Sequence, residues 1–320
     1  MSFIEVKDLK VHYPIRGGFF NKVIDYVYAV DGVNFTIEKG KTYGLVGESG
    51  SGKSTIGKAI IGLEKIKSGK IIYEGKEIDG KFRNRRSEYN RNVQMIFQDS
   101  LSSLNPKKRV IDLISEPLRN FENLTLDEEK RKVSELLEIV GMNREDIYKY
   151  PHEFSGGQRQ RLGIARAVAT KPKLIIADEP VSALDLSVQA QVLNYMKDIQ
   201  EQFGLSYLFI SHDLGVVKHM CDYMFIMYRG RFVETGTKND IYKNPEHFYT
   251  KRLIAAIPEV HPEKRLENKK RRIEIEKEYL KNEKKYYDEN GRVFDLKKLT
   301  DTHFVAIKDE IMQNNGKGGK

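Results

Sequence analysis

The chain has 320 residues, of which 39% are hydrophobic, so it is long enough to bury the core of one large domain or two smaller ones. Its 55 basic and 46 acidic residues give a net charge of +9, which suits anionic partners such as nucleotide, nucleic acid or a lipid surface without deciding between them. The single cysteine, Cys221, excludes an intramolecular disulfide and a multi-cysteine metal site, and no run approaches the roughly 20 apolar residues that span a bilayer.

The first 80 residues are predicted to form strands and turns that lead into one glycine-rich loop and a helix. Val33, Phe35 and Ile37 alternate with polar residues, which is the pattern of a half-buried strand. After a Gly-Lys turn, residues 42–46 (Thr-Tyr-Gly-Leu-Val) are predicted to form a short apolar strand.

The glycine-rich loop, residues 47–54, reads Gly-Glu-Ser-Gly-Ser-Gly-Lys-Ser and fits the pattern G-x-x-x-x-G-K-[ST]. Its glycines let successive backbone N–H groups cradle phosphates, Lys53 can reach the β- and γ-phosphates, and the Ser54 hydroxyl can ligate Mg²⁺. The helix predicted over 55–62 adds the positive end of its dipole. Because a strand precedes the loop and a helix follows it, a chance glycine-rich turn is the weaker interpretation. The predicted nucleotide-binding residues here are Gly47, Glu48, Ser49, Gly50, Ser51, Gly52, Lys53, Ser54 and Thr55.

Residues 98–165 differ in sequence pattern from the segment before them and are predicted to form a helical insertion. Thr125 and Glu128 have the spacing of a capping box at the start of a helix. Gly141 is the expected end of this helix. Its apolar face is predicted to consist of Val133, Leu136, Leu137 and Val140.

Near the end of this insertion, residues 154–158 (Phe-Ser-Gly-Gly-Gln) precede a helix predicted from about 159 to 170. Ser155 offers a hydroxyl, Gly156 and Gly157 allow close approach, and the helix N-terminus favours a phosphate. Considered alone, the residues fit a second anion-binding turn and an ordinary helix cap equally well.

Strand and helix alternation resumes from residue 173 to about 236, and residues 174–179 (Leu-Ile-Ile-Ala-Asp-Glu) form an apolar strand that ends in two carboxylates. The carboxyl end of such a strand is where open α/β sheets bind ligands. We expect Asp178 to hold Mg²⁺ through water and Glu179 to orient and deprotonate the attacking water. A plain strand cap is the alternative. Another buried strand is predicted at 208–210, after a helix with the apolar residues Val188, Val192, Met196 and Ile199.

Beyond residue 260 the sequence becomes highly charged. Residues 261–290 contain ten Lys and Arg and eight Asp and Glu, a balance that favours a solvated helix or linker over a basic nucleic-acid-binding arm. Residues 314–320, which are mostly Asn, Gly and Lys, are predicted to be a disordered tail.

The phosphate-binding loop, the Ser-Gly-Gly-Gln turn and the Asp-Glu strand, in this order, resemble the ATPases of ABC transporters. In that family two subunits meet head to tail and sandwich two ATP molecules, each between the phosphate-binding loop of one subunit and the Ser-Gly-Gly-Gln of the other. By this resemblance Gln98 is the Q-loop glutamine that senses Mg²⁺ and the γ-phosphate. Asp185 then lies in the D-loop that crosses the dimer, and His212 contacts the γ-phosphate.

The aromatic residue that stacks on adenine is less well defined. Tyr13 is the candidate that the resemblance favours, but it lies 34 positions before Gly47, with an insertion between them. Tyr26 and Tyr28 are therefore alternatives, and a core-packing role is a third interpretation of Tyr13.

The resemblance implies an α/β fold, the P-loop ABC ATPase cassette, with a RecA-like core, an antiparallel β subdomain, a helical subdomain and a small C-terminal extension. The implied boundaries are 1–97 and 166–260 for the core, 98–165 for the inserted helical subdomain, and 261–320 for the charged extension. The implied catalytic residues are Lys53, Gln98, Glu179 and His212. The implied Mg²⁺ ligands are Ser54, Gln98 and Asp178. The residues implied to face the ATP of the partner subunit are Ser155, Gly156, Gly157, Gln158 and Asp185.

Further segments resemble the dipeptide and oligopeptide permease ATPases in particular. The Gly-Gly-Gln-Arg-Gln-Arg at 156–161 is closer to the F-type subunit than to its D-type paralogue, and the other matching segments are 94–99, 103–106, 150–154, 163–167, 178–185, 244–250 and 256–258. The implied function is ATP hydrolysis that powers import of oligopeptides. The alternatives are a sister importer for dipeptides, nickel or another small solute, a soluble ABC ATPase acting on DNA or ribosomes, and a regulatory protein that binds nucleotide without turnover.

The implied partners are a paralogous D-type ATPase or a second copy of this chain, two transmembrane permease subunits and, indirectly, an extracellular or periplasmic peptide-binding protein, with no nucleic acid. The implied location is the cytoplasmic face of a bacterial membrane, as a peripheral subunit. Many relatives end in a His-x-Val-Ala-Cys-like stretch, and some bind an iron–sulfur cluster there. This chain has His303 but carries Ile307 in place of the cysteine, so no cluster is expected, because thiolate ligands are required.

Overall fold

The computed structural model describes residues 2–78, 88–99, 103–257 and 265–308. Within these ranges strands and helices alternate along most of the chain. In chain order they are β1 (Ser2–Gly17), β2 (Lys22–Glu38), β3 (Thr42–Val46), α1 (Lys53–Ile60), β4 (Ser68–Tyr73), β5 (Lys76–Glu77), α2 (Glu88–Asn92), β6 (Val93–Ile96), α3 (Val110–Arg119), α4 (Leu126–Ile139), two 3₁₀ turns (Arg144–Tyr148 and Pro151–Glu153), α5 (Gly156–Val168), β7 (Leu174–Asp178), α6 (Leu186–Phe203), β8 (Ser206–Ser211), α7 (Leu214–Met220), β9 (Tyr223–Tyr228), β10 (Arg231–Thr237), α8 (Lys238–Lys243), α9 (Phe248–Ala255), α10 (Arg265–Asn282), a 3₁₀ turn (Glu283–Lys285), β11 (Leu296–Lys298) and β12 (Phe304–Ala306).

An antiparallel sheet of four strands, in the order β2-β1-β4-β5, covers one side of the molecule. Its first two strands form a long hairpin that pairs from Ser2 with Glu38 out to Gly17 with Lys22. Val33, Phe35 and Ile37 are buried while the residues between them are exposed, so the alternation predicted for this stretch is confirmed.

The larger sheet has eight strands in the order β11-β12-β10-β9-β3-β8-β7-β6. Strands β3, β6, β7 and β8 run parallel to one another. Every residue of β3, β7 and β8 is buried, which is the reason these strands appear in the sequence as continuous apolar runs. Their parallel order brings the ends of β6, β7 and β8 to one edge of the sheet, where each strand is followed by a predicted site residue.

Helix α1 lies between the two sheets. Ile56 and Ile60 are fully buried in a core that also contains Phe3 and Ile37 of the antiparallel sheet and Ile176 of the parallel sheet. Helices α3 to α7 pack on the other face of the large sheet around a second core. The phosphate-binding loop is therefore held between a strand and a helix that are both buried.

The capping box predicted at Thr125 is present, since the Thr125 side chain accepts from the Glu128 N–H and the Glu128 carboxylate accepts from the Thr125 N–H. The helix predicted from about 159 begins at Gly156 instead, because Ser155 caps it. Helix α5 continues to Val168, so the proposed boundary between 165 and 166 falls inside a helix.

The C-terminal extension contributes more to the fold than its charge indicated. Helix α10 is largely exposed, in line with the predicted solvated helix. Strands β11 and β12, which the sequence pattern did not predict, extend the large sheet next to β10. The predicted tail at 314–320 and the boundary at 260 lie outside the described residues. No helix in the described part of the chain is long and apolar enough to cross a membrane.

Candidate active site

The phosphate-binding loop connects β3 to α1 and packs closely against the chain around it. A Cβ on Gly47 would lie 2.2 Å from the carbonyl oxygen of Met227, and a Cβ on Gly52 would lie 2.0 Å from that of Ala29. Gly52 also has a φ of 106°, a region that residues with a side chain avoid. Packing therefore requires glycine at both positions.

Lys53 opens α1 and is only 4% exposed. Its Nζ donates to the carbonyl oxygen of Glu48 at 2.7 Å and to the Ser51 hydroxyl at 3.4 Å. Burial lowers the pKa of Lys53, and the negative charges of Glu179 and Asp178 oppose that shift. The ammonium group is thus held inside the loop, where phosphate groups would lie.

Ser54 and Asp178 meet across the site. The Ser54 hydroxyl donates to Oδ1 of Asp178 at 2.8 Å, although the two residues lie 124 positions apart. Asp178 is buried, and burial raises the pKa of its carboxyl while the Ser54 hydrogen bond lowers it. A hydroxyl and a carboxylate are the oxygen ligands that Mg²⁺ prefers, so these two residues fit the predicted cation site.

Glu179 follows β7 and is contacted from both neighbouring strands. Gln98, which follows β6, donates from Nε2 to Oε2 of Glu179 at 2.9 Å. His212, which follows β8, places Nδ1 at 2.9 Å from Oε1. The backbone N–H of Glu179 donates to the carbonyl oxygen of Ile210 at 2.9 Å, and its φ is 47°. The structure thus brings Glu179, predicted from the end of its strand, together with Gln98 and His212, which the resemblance implies.

The Ser155 turn has the geometry of a helix cap. Ser155 Oγ accepts from the Gln158 N–H, and the Gln158 side chain accepts from the Ser155 N–H. A Cβ on Gly157 would lie 2.5 Å from Val188 of α6, whereas a Cβ on Gly156 would meet nothing within 4 Å. Ser155 and Gly156 are exposed, so a capped turn and a surface open to a partner occur at the same place.

Asp185 is the N-cap residue of α6 and makes no side-chain capping bond. It is exposed, and Leu186 beside it is one of the most exposed large apolar side chains among the described residues. The carboxylate is therefore accessible at the surface, as expected of a segment that crosses to a partner.

Tyr13 lies on β1 and faces the start of α1. Burial and then contact with Glu64 raise the pKa of its hydroxyl, while a hydrogen bond with Thr55 lowers it. Thr55 adjoins Ser54, so the Tyr13 hydroxyl lies near the start of α1. The ring is partly exposed, which leaves a surface for stacking.

The two alternative tyrosines lie on the other face of the hairpin. Tyr28 pairs with His12 and Tyr26 pairs with Pro14, whereas Tyr13 pairs with Val27. Successive residues of a strand point to opposite faces, and the Tyr28 ring packs edge-on against His12 at 4.6 Å between ring centroids. The register therefore favours Tyr13 as the residue near a nucleotide.

One contact to the phosphate-binding loop could not be predicted from the sequence. The backbone N–H of Glu48 donates to the hydroxyl oxygen of Tyr249 at 2.9 Å. Tyr249 belongs to segment 244–250, which resembles the peptide permease ATPases but carries no predicted role. Its distance of 201 positions from Glu48 is the reason that no local pattern could reveal the contact.

The stretch of residues 303–307 is folded into the large sheet. His303 is buried against Glu234, with 2.7 Å between Nε2 and Oε1, and Ile307 is buried as well. Cys221 is buried at the end of α7, and burial raises the pKa of its thiol. The expected lack of an iron–sulfur cluster stays a prediction from the sequence.

Comparison with known protein families gives two matches along the chain. The family described as "ABC transporter" matches residues 30–182, and the family described as "Oligopeptide/dipeptide transporter, C-terminal region" matches residues 233–289. Together they cover most of the cassette and the start of the C-terminal extension.

Individual relatives agree with these matches. The chain is 56% identical to the oligopeptide transport ATP-binding protein OppF of Lactococcus lactis, over 96% of each chain. It is 50% identical to OppF of Bacillus subtilis, over 82% of this chain and 84% of the relative. It is 45% identical to the dipeptide transport ATP-binding protein DppF of Escherichia coli, over 83% and 80%.

Solved structures confirm the fold. The ATP-binding cassette MJ0796, solved as a dimer in a post-hydrolysis state with ADP and Pi, matches with a TM-score of 0.64 at 24% identity, over 73% of this chain and 98% of that one. The cbiO1 protein of Clostridium perfringens matches with a TM-score of 0.63 at 25% identity, over 79% and 95%.

Fold and site together define an ATPase of the ATP-binding cassette class. More closely, the chain belongs to the family of ABC transporter ATP-binding subunits that includes the oligopeptide transport ATP-binding proteins. The predicted α/β fold of the ABC ATPase cassette and the predicted resemblance to the peptide permease ATPases are both confirmed.

Proposed function

We propose that this chain is the ATP-hydrolysing subunit of a bacterial importer for oligopeptides. The observation that carries the proposal is the contact of Glu179 with both Gln98 and His212, close to the paired Ser54 and Asp178. One carboxylate lies between two groups that, in this proposal, would contact a γ-phosphate. The names of the relatives, which are oligopeptide and dipeptide transport ATP-binding proteins, supply the cargo class.

In this proposal each side chain has one role. The loop N–H groups and the Lys53 ammonium bind the phosphates, and Glu179 orients a water molecule and accepts its proton. His212 and Gln98 hold the Glu179 carboxylate in position and contact the γ-phosphate. Ser54, Asp178 and Gln98 would hold Mg²⁺, which supplies charge neutralisation on the phosphates.

The second half of the ATP site is proposed to come from another ATPase chain, either a D-type paralogue or a second copy. Ser155, Gly156 and Asp185 are exposed. A Cβ on Gly156 would meet nothing within 4 Å, and the Asp185 side chain makes no capping hydrogen bond. They would reach the nucleotide held by the partner's loop, together with Gly157 and Gln158.

The permease subunits are proposed to dock beside Gln98. A cavity of about 420 Å³ there is lined by residues of β6, α3 and α5, among them Glu116 and Arg166, and by Phe97 and Leu104, which lie between β6 and α3 in the chain. Phe97 is exposed and directly precedes Gln98. A helix of a membrane-spanning subunit in this cavity would place the chain peripherally on the cytoplasmic face, with a peptide-binding protein acting from the other side.

The test is peptide uptake in cells that lack this chain and receive either the parent sequence or Glu179→Gln. We expect uptake to return with the parent only. If deletion leaves uptake unchanged in a host with no second peptide importer, the peptide proposal is wrong while the ATPase class stands.

Dipeptides are the second candidate cargo, because DppF of Escherichia coli is 45% identical to this chain. Uptake of two labelled peptides decides between the two: deletion of this chain should abolish uptake of a labelled pentapeptide for an oligopeptide importer, and of a labelled dipeptide but not the pentapeptide for a dipeptide importer.

A further inference from the structure

The backbone C=O and N–H of Glu48 form hydrogen bonds to two different parts of the protein. The Glu48 carbonyl oxygen accepts from the Ser51 N–H at 3.2 Å and from Lys53 Nζ at 2.7 Å. Its N–H points the other way and donates to the hydroxyl oxygen of Tyr249 at 2.9 Å. The residue whose carbonyl oxygen accepts from Lys53 is therefore held from outside the loop by the side chain of Tyr249.

Tyr249 is itself rigidly held. It lies in the first turn of α9 and is 1% exposed. Its ring packs against that of Tyr228 with 4.6 Å between centroids, and burial raises the pKa of its hydroxyl, so the oxygen is that of a neutral phenol. A buried, neutral and immobile acceptor can fix the direction of a backbone N–H.

The start of α9 is fastened by hydrogen bonds that lead to the C-terminal extension. The Tyr249 N–H donates to Nδ1 of His247 at 3.1 Å, and burial lowers the pKa of His247 to about 3, which keeps that nitrogen an acceptor. The N–H groups of Glu246 and His247 donate to the carboxylate of Glu234 at 2.8 and 3.0 Å.

Glu234 is fully buried on β10 and is paired with a residue of the extension. His303, which directly precedes β12, places Nε2 at 2.7 Å from Oε1 of Glu234. A buried carboxylate requires such a partner, because leaving it unpaired is strongly unfavourable. One continuous series of contacts thus runs from the C-terminal strand to the loop.

We propose that Tyr249 is a positioning residue for the phosphate-binding loop and that the Glu234–His303 pair holds Tyr249 in place. The C-terminal extension then acts on ATP binding, by pre-organising the loop before the nucleotide arrives. A loop that is already ordered loses less conformational freedom when it binds its ligand. The inference rests on the phosphate-binding role proposed above.

The test uses the full chain and compares Tyr249→Phe with Tyr207→Phe. Tyr207 is a matched control, since it is equally buried and its hydroxyl donates to the carbonyl oxygen of Met196 at 3.1 Å, away from the loop. Each variant is titrated with ATP in the presence of EDTA, and hydrogen exchange is followed in the peptide that covers residues 44–54.

We expect Tyr249→Phe to weaken ATP binding at least about fivefold, because the Glu48 N–H loses its buried acceptor, and to speed exchange in the loop peptide. Tyr207→Phe should change neither, although both substitutions remove a buried hydroxyl. Equal ATP affinity and equal loop exchange in the two variants would overturn the proposal. A parent chain that fails to bind ATP would instead contradict the proposed function.

The role of the extension has its own variant, His303→Gln, which keeps a donor near Glu234 but cannot carry a positive charge. Exchange in the loop peptide should rise above the parent rate and stay below that of Tyr249→Phe. Parental exchange in His303→Gln would refute the part of the proposal that concerns the C-terminal extension.

Discussion

Gly52 and Glu179 show how single residues of the site are constrained in different ways. Gly52 is constrained by space and by its backbone conformation, since a Cβ would meet Ala29 and the φ is 106°. Glu179 is constrained by its partners, Gln98 and His212, which hold both carboxylate oxygens. A substitution at Gly52 should therefore impair folding and ATP binding, whereas one at Glu179 should impair ATP hydrolysis.

Gly52→Ala should lower the free energy of unfolding by about 1–3 kcal/mol, the usual range for a strained backbone position, and weaken ATP binding at least about tenfold. Gly163→Ala is the control, because a Cβ there meets nothing within 4 Å. In the interior of α5 it should raise stability by about 0.5–1 kcal/mol. Chemical denaturation and calorimetric titration measure both effects. Parental ATP affinity in Gly52→Ala would contradict the argument.

Glu179→Gln should reduce ATP hydrolysis by about 10²–10⁴-fold, which is the typical contribution of a general base, while ATP binding persists. The amide is isosteric and can still contact Gln98 and His212, but it cannot accept a proton from water. Phosphate release and ATP titration separate the two effects. Glu201→Gln, on the exposed side of α6, should behave like the parent, and an equal loss of binding and turnover in Glu179→Gln would speak for misfolding instead.

At the scale of elements, helix ends and strand pairs fix the parts that carry the site. Helix α4 begins with a complete capping box, and strand β12 is joined to β10 by backbone pairing and by the buried Glu234–His303 contact. The capping box involves neighbouring residues, whereas the Glu234–His303 contact joins distant parts of the chain. The two should therefore respond differently to substitution and to pH.

Thr125→Ala removes the cap of α4 and should cost about 1 kcal/mol of stability. The helix lies in the region 98–165, away from the phosphate-binding loop, so ATP binding should be unaffected. Urea denaturation of this variant and of Glu135→Ala, an exposed position of the same helix, measures the difference. Equal stability of the two variants would show that the cap is unimportant.

The stabilisation from His303 should depend on pH. The hydrogen bond with Glu234 is the largest cause that raises the pKa of His303, with Asp240 and Glu246 as further negative neighbours and burial opposing. Because the folded value is raised, the contribution is fully present below the unfolded value of about 6.5 and is lost as pH rises through the folded value.

The free energy of unfolding should therefore differ more between the parent and His303→Gln at about pH 6 than at about pH 9. Denaturation curves at the two pH values supply the comparison. A difference that is constant or grows with pH would mean that His303 is not charged when it stabilises the fold.

At the scale of the whole molecule, the proposed ATP-site residues lie on two surfaces of one chain. The phosphate-binding loop and the carboxylates lie at the carboxyl ends of the parallel strands, whereas Ser155 and Asp185 are exposed at the starts of α5 and α6. Such a division is what a head-to-tail pair of ATPase chains requires.

Ser155→Arg should prevent ATP-dependent association with a second ATPase chain and leave ATP binding to the variant's own loop intact, because the exposed turn cannot admit a large side chain opposite a nucleotide. Analytical ultracentrifugation in the Glu179→Gln background, alone and with a co-expressed D-type paralogue, measures the association. ATP-dependent pairing at parental strength would contradict the assignment of Ser155.

The predictions that came directly from the sequence concern residues that act through local spacing. The loop at 47–54 and the pair Asp178 and Glu179 were recognisable because the chemistry of phosphate binding depends on backbone N–H groups and on the end of a buried strand. The capping box at Thr125 was recognisable for the same reason. Gln98 and His212 were selected only through resemblance, since a single glutamine or histidine has no local pattern.

What the tertiary structure decided concerns contacts between distant parts of the chain. Strands β11 and β12 have three residues each, too few to show an alternating pattern, and they form only because β10 offers its edge. The Tyr249 contact joins residues 201 positions apart. The sequence by itself determined the chemistry of the ATP site, because that chemistry is encoded in short segments. Which other residues hold that site in place was decided by packing, because packing depends on where the whole chain brings its segments together.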